Sequence, residues 1–255
     1  IDRFFKKSKC KLVPLNENLV SKIKIKKNIS KNDKFYKLND KNVGQSYEDK
    51  VKKNLKIIKK NKINFQFISS SENIAWLLNL RGSDSKYAPI PNSYLILSNK
   101  NKIYFFFDLK KIDEKLKNKF KNMIIIDINY IQKFLQKIKN KIVQIDDSSC
   151  SIFFKNIIKK NNIIIKKKDP IYFLKSIKNK TEIKNTIKSH IYDGAALTKF
   201  LFWVKNNFKK KTISEISAQE KLFKLRKNNK TFKSLSFPTI SGSGPNGAII
   251  HYKAT

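Results

Sequence analysis

The alternation of apolar and polar positions divides residues 46–177 into strands and helices. Short apolar runs predict six strands within residues 64–69, 93–98, 102–108, 123–128, 141–146 and 161–166. The polar segment NKNK between the second and third strands predicts a hairpin. Helices are expected after Ser46, from Ser71, and within residues 109–119, 128–138, 149–159 and 170–177. Strands that alternate with such helices are typical of an α/β domain with a mixed sheet.

A different pattern begins near Asn179. Apolar residues then recur at three- and four-residue spacing, which predicts a long amphipathic helix with Thr181 as its N-cap: Ile183, Ile187, Ile191, Ala195, Leu197, Leu201 and Val204. A second helix is expected from Ser214, packed through Ile216, Leu222, Phe223 and Leu225. Strands are expected near 236–240 and at 248–252, on either side of a loop rich in Gly, Pro and Asn.

Residues 1–45 show only weak periodicity, so we expect a connector with short elements. The chain starts with Ile, and its first residues lack the apolar core of a signal peptide. No apolar run approaches the roughly 18 residues of a membrane span. Cys10 and Cys150 lie far apart and outside any metal-binding spacing, which favours reduced thiols. We therefore expect a fragment with both ends cut, no membrane association and a cytoplasmic location.

The net charge of +38 changes this picture little. All but three of the 57 basic residues are lysine, the exceptions being Arg3, Arg81 and Arg226. Proteins that read nucleic acid favour arginine and concentrate it on one face. Here lysine is spread along the whole chain together with Ile and Asn, the residues of A/T-rich codons. We expect no specific nucleic-acid partner, although a polyanion-binding protein remains a further hypothesis.

The candidate chemistry lies in the segment GSGPNGAIIHY, residues 242–252. It holds three of the six glycines and His251, one of only two histidines. A phosphate-binding loop is disfavoured because no helix comes after it. An Asn-Gly hairpin is the ordinary interpretation, and His251 could be structural or functional. The other histidine, His190, has no second ligand four residues on and is expected to be an ordinary helix residue.

Five other residues have structural interpretations. Asp146 and Asp147 end a strand and are expected to cap the next helix. Arg81, in NLRGSD, is expected to pair with Asp84, with contact to an interdomain cleft as the alternative. Both tryptophans, Trp76 and Trp203, fall at apolar helical spacing and are expected in the core.

Several of these segments resemble one family. LSFPTISGSGPNGAIIHYKAT resembles the beginning of the catalytic domain of X-prolyl aminopeptidases (aminopeptidase P), metallopeptidases of the pita-bread fold. SENIAWLLNLRGSD and the subsequent SYLIL are similar to the second domain of the three-domain form, and KNKTEIKNTIKSHIYDGAALTKFLFWVKNN to the first helix of the catalytic domain. These matches keep the family's order over nearly the whole chain.

The resemblance implies a domain division. Residues 1–45 would be a linker and the tail of a preceding creatinase-like domain. Residues 46–177 would form a second creatinase-like α/β domain with a mixed sheet. Residues 178–255 would form the first, incomplete part of an α+β pita-bread metallopeptidase domain.

The resemblance also implies an activity. The family releases the N-terminal residue from peptides with proline in second position, using two divalent metal ions, usually manganese, that activate a bridging water. It implies a homodimer, and it makes His251 a substrate-contacting residue that is not a metal ligand. The family's ligands (two Asp, one His and two Glu) all lie C-terminal to the HY motif, so this chain is expected to hold none and to be inactive alone. The alternative is a non-catalytic peptide- or protein-binding member of the same fold family.

Overall fold

The structure is a computed structural model that describes residues 34–210 and 212–254, and five single residues before them: Phe5, Cys10, Val13, Leu15 and Leu19. The chain separates into two units, Ile1–Asn32 and Asp33–Thr255. In the first unit Phe5 and Leu19 are helical, and Val13, Leu15 and Leu19 are exposed. The rest of the expected connector (residues 1–45) lies outside the described residues as far as residue 33.

A six-stranded mixed sheet organises the second unit. Its strands, in the spatial order β6-β5-β4-β2-β7-β8, are β2 (Phe65–Ile68), β4 (Ser93–Ser98), β5 (Ile103–Phe107), β6 (Ile124–Asp127), β7 (Ile142–Ile145) and β8 (Ile163–Lys166). Strand β4 runs antiparallel to β2 and β5, whereas the pairs β5/β6, β2/β7 and β7/β8 are parallel. The six predicted strands and the hairpin are confirmed. A separate two-stranded ladder joins β1 (Tyr36–Lys37) to β3 (Leu80–Arg81).

Nine α-helices lie within the described part of residues 34–254: α1 (Asp40–Val43), α2 (Tyr47–Lys60), α3 (Ser71–Leu77), α4 (Glu114–Asn118), α5 (Ile131–Lys137), α6 (Ile152–Lys159), α7 (Ile171–Ser176), α8 (Lys180–Asn207) and α9 (Glu215–Lys227). The predicted helix over 109–119 is interrupted, because a 3-10 turn (Leu109–Lys111) precedes α4. Asp113 starts α4 by accepting a hydrogen bond from the backbone N–H of Leu116.

The strands place alternate residues on opposite faces of the sheet, as strand geometry requires. Leu95, Leu97, Phe105 and Phe107 join one apolar cluster, which α2 and α3 cover with Val51, Leu55, Ile58, Ile74 and Leu77. Ile96 and Phe106 join the opposite cluster, which α5 and α6 cover with Ile131, Leu135, Phe154 and Ile158. The domain therefore has three layers, helix–sheet–helix.

Of the predicted N-cap residues Ser46, Thr181 and Ser214, two cap their helices. Ser46 and Ser214 are N-caps as predicted, accepting from the backbone N–H groups of Asp49 and Ser217. Thr181 is not the N-cap of α8. Asn179 is, because Glu182 lies three residues on and its carboxylate accepts the backbone N–H of Asn179, which completes a capping box.

The start of α8 is tied to the preceding α/β domain. Asn179 Nδ2 donates to the carbonyl of Val43 at 2.8 Å. Trp76 Nε1 donates to Glu182 Oε1 at 3.2 Å, so Trp76 is a half-buried contact residue and not a fully buried core residue. These contacts orient α8 relative to the sheet, because they hold its first turn at two points.

Further along, the apolar stripe of α8 lies on the surface. The predicted stripe residues Ile183, Ile187, Ile191, Leu197 and Leu201 are exposed. The helix instead packs against α9 through a different side, where Ala196 is buried and Arg226 forms a bidentate ion pair with Asp193. Trp203, half-buried, stacks on Phe200 with ring centroids 6.1 Å apart. Within the described residues, no helix has the length and apolar character needed to span a bilayer.

Candidate active-site loop around His251

The loop that carries His251 comes after α9 and has no strands. Residues 236–240 and 248–252 form no ladder, so both predicted strands are wrong. A strand needs a neighbour to pair its backbone N–H and C=O groups, and the described part of the chain offers none beside either segment. Gly244–Ala248 forms a 3-10 turn instead, with Pro245 near its start and Gly244 at a φ of +55°.

One carboxylate holds this loop to α9. Glu215, the first residue of the helix, accepts the backbone N–H of Ser243 at 2.5 Å and the hydroxyl of Tyr252 at 2.6 Å. Asn246 Nδ2 donates to Glu215 Oε1 at 3.2 Å and to the Tyr252 hydroxyl at 3.0 Å. The beginning, middle and end of the loop are thus bonded to a single side chain.

The hydrogen bonds have electrostatic consequences. The Tyr252 hydroxyl, together with the Ser243 N–H and Asn246, stabilises the ionised carboxylate and lowers the pKa of Glu215. The same contact raises the pKa of Tyr252, because a phenolate would face the carboxylate. Glu215 also lies in the first turn of α9, where the helix dipole favours negative charge. The pair is therefore an ionised acceptor with a neutral donor at neutral pH.

His251 lies at the exposed end of this loop. Its φ of +56° places it in the left-handed region, which is uncommon for a residue other than glycine. The side chain is exposed and makes no hydrogen bond with any described residue. An imidazole in this position can donate to or accept from an incoming polar ligand through either ring nitrogen.

The other predicted residues lie elsewhere. His190 is exposed on α8, with Nδ1 2.9 Å from the carbonyl of Thr186 one turn earlier, as expected for an ordinary helix residue. Asp146 caps a turn by accepting from Ser148, and its second oxygen accepts the backbone N–H of Asp169. Asp147 forms an ion pair with Lys155. Neither aspartate caps α6, because Ser151 does so.

Arg81 does not pair with Asp84. Its guanidinium donates to the carbonyls of Ala75 and Leu80, so it stabilises the end of α3. Asp84 instead accepts the backbone N–H of Asn92 and forms an ion pair with Lys111. The structural interpretation of Arg81 holds, with backbone carbonyls in place of the expected carboxylate.

No group of three potential metal ligands comes together among the residues that the structure describes. Cys150 is a buried thiol whose pKa burial raises to about 11, which makes it a poor nucleophile or ligand at neutral pH. The loop with His251 is therefore the candidate site among the described residues.

Sequence reasoning singled out His251 but missed Glu215. Glu215 is separated from Ser243 by 28 residues and from Tyr252 by 37, so no local spacing marks the contact. The Asn-Gly hairpin interpretation places Asn246 in a turn and predicts no contact with a helix. The one available signal was an acidic residue directly after the N-cap Ser214, and that is also the ordinary pattern of a helix start.

Comparison with known proteins gives the family. Residues 26–182 match the creatinase/prolidase N-terminal domain, and residues 184–255 match metallopeptidase family M24. A probable Xaa-Pro aminopeptidase P of Laccaria bicolor is 35% identical over 95% of this chain and 39% of that protein. Xaa-Pro aminopeptidase 1 of Dictyostelium discoideum is 36% identical over 88% of this chain and 36% of that protein.

A solved structure agrees on the fold. X-prolyl aminopeptidase from Caenorhabditis elegans superposes with a TM-score of 0.82 at 24% identity, covering 92% of this chain and 40% of that one. The chain thus spans about two fifths of the length of these relatives. It consists of a creatinase-type α/β domain followed by the start of a metallopeptidase domain, and it belongs to the creatinase/prolidase family, with Xaa-Pro aminopeptidases P among its homologues.

Proposed function

We propose that the whole protein to which this chain belongs is an aminopeptidase that releases the N-terminal residue from peptides with proline in second position. The observation that carries the proposal is the 35–36% identity to proteins named Xaa-Pro aminopeptidase over 88–95% of the chain. The match of residues 184–255 to metallopeptidase family M24 supports hydrolysis as the reaction class.

In this proposal His251 contacts the substrate. Its exposed imidazole, free of hydrogen bonds to described residues, supports that role. A neutral or protonated imidazole can hydrogen-bond a peptide carbonyl or the oxyanion that forms when the carbonyl is attacked. His251 would act beside the reacting centre and not as a metal ligand.

Two divalent metal ions would supply the activated water, with manganese as the proposed metal. The Caenorhabditis elegans structure is described as a cytosolic enzyme with a di-nuclear active site, which supports both a two-metal site and a cytoplasmic location here. In this proposal the metal ligands lie C-terminal to the HY motif, as the family resemblance implies, and this chain alone would be inactive.

The proposed organisation keeps the division into residues 1–45, 46–177 and 178–255, with the last segment as the first part of a pita-bread domain. A homodimer is proposed for the whole protein. The exposed apolar stripe of α8 would then be covered by the remainder of the metallopeptidase domain, because so many exposed isoleucines are costly in water.

The test compares two peptides that differ only in the second residue, Xaa-Pro and Xaa-Ala. The whole protein with Mn²⁺ should release the first residue from the Xaa-Pro peptide, and a chelator should abolish the release. This chain alone should release none. The His251→Ala variant should lower kcat/KM by roughly 10-fold or more, because such a loss is common when general acid–base catalysis or electrostatic stabilisation of the transition state is removed.

Absence of hydrolysis by the metal-loaded whole protein, combined with retained binding of Xaa-Pro peptides, would favour the alternative, a non-catalytic peptide-binding member of the family. Cleavage of both peptides at equal rates would overturn the proposed specificity.

A further inference from the structure

Glu215 has no role in helix capping that would explain its contacts. Ser214 already caps α9 by accepting the backbone N–H of Ser217. The carboxylate of Glu215 instead turns toward the loop, where it accepts hydrogen bonds from a backbone N–H, an amide and a phenol. The three donors come from residues 28 to 37 positions further along the chain, so the contacts are tertiary and not part of the helix start.

We propose that Glu215 is a positioning residue for His251. The carboxylate, through Tyr252 and Asn246, sets the conformation of residues 243–252 and so the direction in which the imidazole faces a peptide substrate. This inference rests on the substrate-contacting role proposed above for His251.

The geometry supports this coupling in two steps. Tyr252 comes directly after His251, so fixing its hydroxyl at 2.6 Å from Glu215 restricts the backbone of His251. His251 has a φ of +56°, a left-handed conformation that is strained for a residue with a side chain and persists only when neighbouring contacts impose it. The contacts that the structure provides at this end of the loop are those of Tyr252 and Asn246 with Glu215.

The charges point the same way. Ionised Glu215 is a stronger acceptor than a neutral amide, since hydrogen bonds to a charged group are roughly twice as strong as neutral ones. Glu215→Gln keeps the shape and an acceptor oxygen but removes the charge, and Tyr252→Phe removes only the hydroxyl. Both substitutions should weaken the hydrogen bonds between residue 215 and the loop, while Ser214 still caps α9.

The first measurement uses this chain and the NMR signals of its two histidines. In Glu215→Gln and in Tyr252→Phe, the His251 imidazole signals should shift and narrow as the side chain gains mobility. The His190 signals, from the exposed middle of α8, should stay unchanged. Glu220→Gln is the control, because Glu220 is an exposed carboxylate of the same helix and has no bond to the loop. Unchanged His251 signals in both loop variants would overturn the inference.

The second measurement uses the whole metal-loaded protein. If Glu215 acts through His251, Glu215→Gln should lower kcat/KM for the Xaa-Pro peptide by roughly 5- to 10-fold, and by no further factor once His251→Ala is present. If the losses of kcat/KM from Glu215→Gln and His251→Ala multiply in the double variant, the inference is wrong. If His251→Ala itself has no effect, the proposed role of His251 fails, while the NMR result still decides whether Glu215 holds the loop.

Discussion

At the scale of single residues, Lys50 is a lysine buried inside the α/β domain. It is 1% exposed on α2, and its amine donates to Asn79 Oδ1 at 2.6 Å and to the Trp76 carbonyl at 3.0 Å. The amine also lies 4.1 Å from the centroid of the Trp76 ring. No carboxylate of the described residues forms an ion pair with it. Burial therefore lowers the pKa of Lys50 to about 8.

The lowered pKa of Lys50 predicts how the free energy of unfolding changes with pH. The folded protein releases the Lys50 proton near pH 8, whereas the unfolded chain keeps it until about pH 10.4. Between these values the unfolded state binds more protons, so the free energy of unfolding should rise with pH. Urea unfolding at intervals from pH 7.5 to 9.5 measures this slope, and Lys50→Met should flatten it.

Lys53→Met is the matched control, because Lys53 is an exposed lysine of the same helix and its removal changes the net charge equally. It should leave the slope as in the unmodified chain. An equal flattening in both variants would mean that the slope reports overall charge repulsion and not the buried amine.

At the scale of elements, two glycines differ in their surroundings, and substituting them tests how the contact with α1 stabilises α8. Gly44 ends α1 with a φ of +73°, and a Cβ there would lie 2.6 Å from Asn179 Oδ1 and 2.7 Å from Thr181 Cβ. Gly194 lies within α8, and a Cβ there would meet nothing within 4 Å. The first glycine is required by its backbone and its neighbours, whereas the second is not.

Gly44→Ala should lower the free energy of unfolding by more than about 1 kcal/mol, because it strains the turn and disturbs the capping box of α8. Gly194→Ala should raise it by about 0.5–1 kcal/mol, since alanine is the better helix former at an open site. Thermal unfolding followed by circular dichroism gives both values. A stable Gly44→Ala variant would show that the contact between α1 and α8 is dispensable.

At the scale of the whole molecule, the charge of +38 predicts attraction to polyanions without recognition. Binding to duplex DNA should weaken by a factor of about 10³ or more between 50 and 200 mM salt, as counterion release requires for several phosphate contacts. Fluorescence anisotropy with two unrelated duplexes of equal length should give equal affinities. Tight binding that survives at high salt and distinguishes the duplexes would revive the hypothesis of a polyanion-binding function.

Much of the fold could be predicted because its signals are local. The strands β4 and β5 are short apolar runs bounded by polar residues. Ser46 and Ser214 mark helix starts within three residues of their hydrogen-bond partners. The network at Glu215 could not be predicted, because its donors lie 28 to 37 residues away. Hydrogen bonds across that separation depend on how α9 and the loop pack, and the spacing of the residues in the sequence does not predict this packing.

The amino-acid sequence by itself determined the α/β pattern, the mixed sheet and the capped helices, and it singled out the segment around His251. These features depend on periodicity, cap residues and a motif, all of which act over a few residues. Only the tertiary structure decided that residues 248–252 form no strand, that Arg81 bonds to carbonyls and that Asn179 caps α8. It also decided that one carboxylate holds the loop of His251, because such contacts depend on which groups the packed elements bring together.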